Sequence, residues 1–441
     1  MARHTARDVR SENRFEVLHA LFELGPSSRQ ELARHTGLSL ATVTTLVGEF
    51  LAEGVLDIAA VERNAVGRPY ERLTINPDRG RIVGVDVAET YVDATVYDLA
   101  LGVLSRHEAP LDEQQNDQAY VVDGIVGAIE AALDADGTER ERIVGVGVSM
   151  PGHVHHGSGI SVVAPNWDWH DVHIEELLAE RLRLPLYVDN PLKAAILSEM
   201  WFGVGRVVDS MAVVNIGTGA GAGIAIEGTL VRGTTNNAGE WGHTLLMLDG
   251  RPCHCGRYGC VETYVGAPGL AATLAEIDPS HPALGRPGQR DFVETVAGGL
   301  ATGDPVLREL VRRTGRYLAA ALGDLVNLLN VPKVTLTGWL PGALARWLVP
   351  AVRDELPQHV LPGSLPGLTV EVSEVPGNTV CLGMAAFTLE QFLARLGLVS
   401  QARTRPRPGP GTARPASGQK PLSPDASSRV RIRHEVNGPS R

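Results

Sequence analysis

Three of the chain's four cysteines stand in a C-x-C-x4-C array, Cys253, Cys255 and Cys260, inside the stretch Ala238 to Glu262. One residue between Cys253 and Cys255 strains a disulfide and suits two ligands on one ion. Gly256 and Gly259 let the backbone fold back so that the third sulfur faces the same point. A tetrahedral zinc then needs a fourth ligand, from His243 or His254. His254 is wedged between two ligands and, in an extended segment, points away from their shared centre. The loop Thr244 to Pro252 can instead bring His243 round. The expectation is a structural Zn2+ held by His243, Cys253, Cys255 and Cys260, with a redox cysteine cluster as the competing reading.

Upstream, Phe15, Val17, Leu18, Leu21, Phe22 and Leu24 recur at helical spacing and stop at Gly25-Pro26. Ser27 and Ser28 offer a cap for a second helix, Arg29 to His35. A turn at Thr36-Gly37-Leu38-Ser39 leads into a third, Leu40 to Glu53. Its first turns carry small hydroxyl side chains, Ser39, Thr42, Thr44 and Thr45, while Val43, Leu46, Val47, Phe50 and Leu51 can pack inward. This is a helix-turn-helix whose recognition helix can sink into a major groove. The strands Val55 to Ile58 and Leu73 to Ile75 flank a hairpin tip with Arg63 and Arg68, a wing suited to the minor groove. A three-helix protein-interaction module is the alternative. Ser39, Thr42, Thr44, Thr45, Arg63 and Arg68 are the candidate DNA contacts.

The net charge of -11 argues against indiscriminate nucleic-acid binding by the whole molecule and leaves room for a local basic patch. No stretch approaches the roughly 20 apolar residues of a membrane span, and the start lacks the apolar core of a secretory signal. Few cysteines, three of them in a ligand array, suit a reducing cytoplasm. A cytoplasmic protein without a membrane partner is expected.

The segment Gly239-Glu240-Trp241-Gly242-His243, followed by Cys253-His254-Cys255-Gly256-Arg257-Tyr258-Gly259-Cys260-Val261-Glu262, resembles the mark of the ROK family of repressors, open reading frames and kinases. The helices, turn and Gly67-Arg68-Pro69 wing resemble the N-terminal domain of the family's repressors. The resemblance implies a winged helix-turn-helix over 12–76 and a two-lobed actin-like, ribonuclease H-like α/β fold. Its first lobe is expected at 80–198 plus 378–397 and its second, carrying zinc, at 199–377. Carried over by position, Glu240, His243 and Glu262 become sugar contacts, as does Asn166 in Pro165-Asn166-Trp167-Asp168-Trp169, and Asn190 matches a site asparagine. Asn166 reads equally as a turn residue. Trp167 and Trp169 read as a sugar platform or as core.

Two departures bear on catalysis. Sugar kinases of the family wrap ATP phosphate with D-x-G-G-T, where this chain has Asp86-Val87-Ala88-Glu89-Thr90. The aspartate that takes the proton from the sugar hydroxyl falls at Pro191, which cannot act as a base. Asp189 sits two positions earlier. The glycine-rich run Gly217 to Gly223 suits a phosphate cradle or a tight hairpin equally, and Trp339 replaces a small residue in Leu336-Thr337-Gly338-Trp339. The expected function is a sugar-responsive DNA-binding regulator, a repressor without kinase activity. It would take operator DNA and a sugar or sugar-phosphate effector, and act as a homodimer or homotetramer. The alternative is an ATP-dependent sugar kinase with an accessory DNA-binding domain. Residues 400–441, rich in Arg, Pro, Gly and Ser, read as a disordered basic tail.

Overall fold

The computed structural model describes residues 6–62, 69–154 and 161–398. Arg63 and Arg68 of the expected wing tip, and the stretch 400–441, lie outside the described residues.

The chain opens with α1 (Ala6–Leu24), α2 (Arg29–Thr36) and α3 (Leu40–Ala52). A capping box starts α2: Ser28 Oγ accepts the Glu31 N–H and the Glu31 carboxylate accepts the Ser28 N–H. Gly37, at φ 70°, ends it in the left-handed conformation. Ser39 caps α3 by accepting the Thr42 N–H. Val43, Leu46, Val47 and Phe50 bury one face of α3 and leave Ser39, Thr44 and Thr45 exposed on the other. β1 (Leu56–Glu62) and β2 (Tyr70–Ile75) form an antiparallel ribbon with Leu56 opposite Ile75. A bridge from Ser27 to Leu73 ties that ribbon to the helices. These elements make a winged helix-turn-helix.

Next come β3 (Arg81–Val87), β4 (Tyr91–Asp98), β5 (Val103–Pro110), α4 (Gln118–Asp136) and β6 (Ile143–Ser149). A small sheet of β7 (His153–Val154), β8 (Ser161–Ala164) and β9 (Trp169–Val172) precedes α5 (Ile174–Leu182), β10 (Leu186–Asp189) and α6 (Pro191–Phe202). The main sheet of this lobe has the order β10-β6-β3-β4-β5, an antiparallel meander extended by parallel strands.

The second lobe repeats the scheme. β11 (Met211–Ile216), β12 (Ala220–Ile226) and β13 (Thr229–Leu230) are antiparallel. After α7 (Glu262–Val265), α8 (Ala267–Ile277), α9 (Gln289–Thr302) and α10 (Pro305–Leu329), β14 (Lys333–Thr337) joins β11 in parallel. α11 (Trp339–Glu355) then leads to β15 (Thr369–Val372), giving the order β13-β12-β11-β14-β15. The glycine run at 217–223 therefore makes a loop only at Gly217 to Gly219, its remainder belonging to β12. Two lobes of matching topology make the actin-like, ribonuclease H-like α/β fold.

α12 (Thr379–Arg395) returns to the first lobe and packs on α6. The two backbones touch there, since a Cβ on Gly383 would fall 1.9 Å from the Ala194 carbonyl oxygen. The winged unit shares one continuous core with this helix pair, running from Phe15, Leu18 and Leu21 through Trp201 to Phe387 and Phe392. Trp201 stands edge-on to Phe15, ring centroids 5.3 Å apart, and also meets Phe22 at 5.4 Å. Arg14 Nη1 donates to the Gly397 and Leu398 carbonyls, and Arg206 Nη2 to that of Glu23.

Candidate functional site

A cleft of about 610 Å³ lies between the lobes. The first lobe supplies Asp86, Glu89, Asn166, Asn190 and Pro191, and the second Gly217 to Gly221, Glu240, His243, Glu262 and Trp339. Also lining the cleft, the Arg290 guanidinium of α9 pairs with Glu108 of β5 at 2.5 Å and lies over the Tyr91 ring. Glu113 accepts the first N–H of α9, from Gln289, at 3.0 Å. These contacts join the lobes.

Glu240, His243 and Glu262 line one wall. Loss of solvent raises the Glu240 carboxyl above its ordinary value and lifts that of Glu262 to about 7. Glu262 Oε2 accepts the Ala220 N–H at 3.0 Å, which fixes the carboxylate against the start of β12. Burial also lowers the His243 pKa, favouring the neutral ring. Opposite, Asn166 Nδ2 donates to Glu89 Oε1 at 2.7 Å. Asn190 caps α6: its Oδ1 accepts the Leu192 N–H at 2.8 Å and its Nδ2 donates to the Gly152 carbonyl at 2.5 Å. Its amide thus holds two loops of the cleft wall together.

His243, Cys253, Cys255 and Cys260 converge, their ligand atoms all within 4.8 Å of one another. A tetrahedral zinc with ordinary bond lengths sets neighbouring ligand atoms about 3.6–3.8 Å apart. Cys255 Sγ and Cys260 Sγ are 3.7 Å apart, and Cys253 Sγ is 3.6 Å from His243 Nδ1. The residues present fit such an ion, and His243 would bind through the nitrogen facing the thiols. His254 is exposed and outside this group. The knuckle is tied to the cleft wall at His243 and through Cys253 Sγ, 3.8 Å from Glu262 Oε1.

Pro191, which the resemblance aligns with the family's aspartate, is the first residue of α6, where the missing N–H costs nothing. Asp189, two positions earlier, is engaged elsewhere. It is buried, pairs with Arg232 at 2.7 Å, and accepts from Asn236 Nδ2 at 3.0 Å. Lys193 is buried too, its ammonium bonded to the Ala238 carbonyl, and burial lowers its pKa. Trp167 and Trp169 are each 4% exposed with ring centroids 4.7 Å apart, so they form core rather than a sugar platform. Cys381 is fully buried, its thiol donating to the Asp93 carbonyl.

The sequence missed how Glu89 reaches Asn166 and how Arg232 and Asn236 hold Asp189. Lys193 in Asn190-Pro191-Leu192-Lys193-Ala194-Ala195, a cation where the resemblance calls for asparagine, is one more departure in the same segment.

The ROK family model matches residues 82–391. The chain belongs to the ROK family. Over 405 residues it is 25% identical to the xylose repressor of Caldicellulosiruptor bescii, covering 89% of this chain and 99% of that one. A solved ROK family transcriptional regulator, a homologue of the E. coli MLC protein, superposes with a TM-score of 0.72 at 24% identity, covering 89% of this chain and 99% of the other. A ROK family glucokinase from Streptomyces griseus, solved with glucose and AMPPNP, gives 0.63 at 26% identity, its coverage 70% of this chain and 99% of its own.

Proposed function

We propose that this ROK chain is a sugar-responsive DNA-binding transcriptional regulator, a repressor whose body senses sugar without transferring phosphate. One observation carries the reading: α6 forms the cleft wall at Asn190 to Leu192 and meets α1 of the winged helix-turn-helix at Trp201. The comparisons support it. Coverage of 89% of the chain by a repressor and by a transcriptional regulator has to include part of the winged unit, whereas the glucokinase matches 70%.

In this reading Glu240, His243, Glu262 and Asn166 hydrogen-bond vicinal sugar hydroxyls, and Asn190 keeps the wall in place. A structural Zn2+ on His243, Cys253, Cys255 and Cys260 stiffens the wall that carries Glu262. Catalysis is absent because Pro191 offers no base and Asp189 is committed to Arg232. Sugar shifts the balance between lobe arrangements, and α6 passes the shift to α1. Ser39, Thr42, Thr44 and Thr45, with Arg63 and Arg68 of the wing, contact operator DNA, and a two-fold oligomer matches paired half-sites. Among the described residues no helix is long and apolar enough to cross a membrane. A cytoplasmic location accords with three cysteines gathered in a ligand group.

Calorimetric titration with a panel of sugars, alongside ADP release on the same zinc-loaded preparation, tests the sensor against the kinase. Heat of binding with one sugar and no ADP is expected. ADP formation with any sugar overturns the reading.

A further inference from the structure

We propose that Glu89 is a ligand-contacting residue of the cleft and restricts it to unphosphorylated sugars. The inference rests on the sensor reading above and narrows it to one ligand class.

Glu89 lies in the tight turn between β3 and β4, closed by the Ala88 N–H donating to the Tyr91 carbonyl at 2.9 Å. Its carboxylate is turned into the cleft and held by Asn166 Nδ2. Glu262 comes to the same place from the other lobe. A Cβ built on Gly219 would fall 2.7 Å from Glu262 Oε2 and 3.8 Å from Asn166 Nδ2, so both side chains converge over that glycine. A pyranose lying on Glu240 and Glu262 therefore presents an edge to Glu89, whose second carboxylate oxygen can accept from a hydroxyl.

The same geometry repels phosphate. Backbone amides of a glycine loop are the usual cradle for a phosphoryl group. Here the Gly217 N–H is spent on the Gly219 carbonyl at 2.9 Å, and the Ala220 N–H on the Glu262 carboxylate. Trp339 closes over the loop, its Nε1 2.5 Å from where a Gly217 Cβ would sit. The arginines lining the cleft are committed as well, Arg106 to Asp93 and Arg290 to Glu108. A phosphoryl group entering here meets the Glu89 carboxyl, and among the described residues lining the cleft no arginine is left to pair with it. At a few ångströms in a partly desolvated cleft, that repulsion lowers affinity by about 100-fold or more.

The test uses the full-length, zinc-loaded protein and its Glu89→Gln and Glu89→Ala variants, each checked by thermal melting. Calorimetry is run with aldohexoses, N-acetylhexosamines and pentoses, each beside its terminal phosphate ester, and with AMPPNP. The wild type is expected to bind at least one free sugar and its ester about 100-fold less tightly. Both variants should lose about tenfold in affinity for that sugar and lose most of the discrimination against the ester. A merely structural Glu89 would change melting and leave that ratio alone. An ester bound as tightly as its parent sugar overturns the inference and leaves the sensor reading standing, as do variants with wild-type affinity and ratio. No binding of any sugar or ester overturns both.

Discussion

Replacing Trp201 with alanine should separate sugar binding from DNA binding. Trp201 is 3% exposed and meets Phe15, Phe22 and His19 of α1, with ring centroids 5.3, 5.4 and 5.8 Å away. Truncating a buried tryptophan costs about 3–5 kcal/mol, and the aromatic pairs contribute part of that. The polar contacts that remain across the junction, from Arg14 to Gly397 and Leu398 and from Arg206 to Glu23, are worth about 0.5–1.5 kcal/mol each. The loss is comparable to all of them together, so α1 should loosen on α6. The cleft end of α6, at Pro191, lies ten residues from Trp201, about 15 Å along the helix, and should hold its geometry. Calorimetry is expected to give sugar affinity within about threefold of wild type, while an allosteric factor of the usual 5–150-fold collapses toward one. Trp201→Phe, which keeps a ring against Phe15, should retain most of the response. A folded Trp201→Ala protein whose operator affinity still moves with sugar by the wild-type factor would refute transmission through α6.

Other perturbations have equally definite outcomes. Pro191→Asp should produce no ADP with any sugar, because Trp339 still crowds the glycine loop and Glu89 still lines the cleft beside it; measurable turnover would contradict this picture of the cleft. Burial raises the Asp86 carboxyl from 3.8 to about 6, so the folded state holds its proton more tightly than the unfolded state and stability falls as pH rises from about 4 through about 6. Asp86→Asn should remove about 3 kcal/mol of that fall, read from urea midpoints between pH 4 and 7. Chelation of zinc should lower the melting temperature and abolish sugar binding, through loss of the His243 and Glu262 wall, and metal analysis should give one zinc per chain in the untreated protein. Thr44→Ala together with Thr45→Ala should weaken operator binding by about tenfold with sugar affinity unchanged, because both side chains are exposed on the outer face of α3.

What could be read in the sequence was local in character. A capping hydroxyl marked the start of α2 at Ser27-Ser28, and apolar periodicity after the Thr36-Gly37-Leu38-Ser39 turn marked that of α3, whose cap the structure assigns to Ser39. The cysteine spacing pointed to a group that does converge with His243. The start of α1 was not visible, because Arg10 and Arg14 hold its first turns through Glu49 rather than through an apolar stripe. β5 was missed since its residues are mostly exposed along an edge, without alternation. The pairings that define the cleft join residues far apart in the chain, Asn166 to Glu89 and Arg232 to Asp189, and no short-range pattern encodes them. For the same reason the shared core of α1 and α6 could not be seen before the helices were placed together.

Sugar-controlled DNA binding is tested most directly by fluorescence anisotropy on DNA from upstream of the protein's own gene, titrated with and without a saturating sugar. Specific binding that weakens at least about fivefold with one sugar is the expected result. Specific binding that no sugar moves, or no preference for that DNA over unrelated sequence, would contradict it.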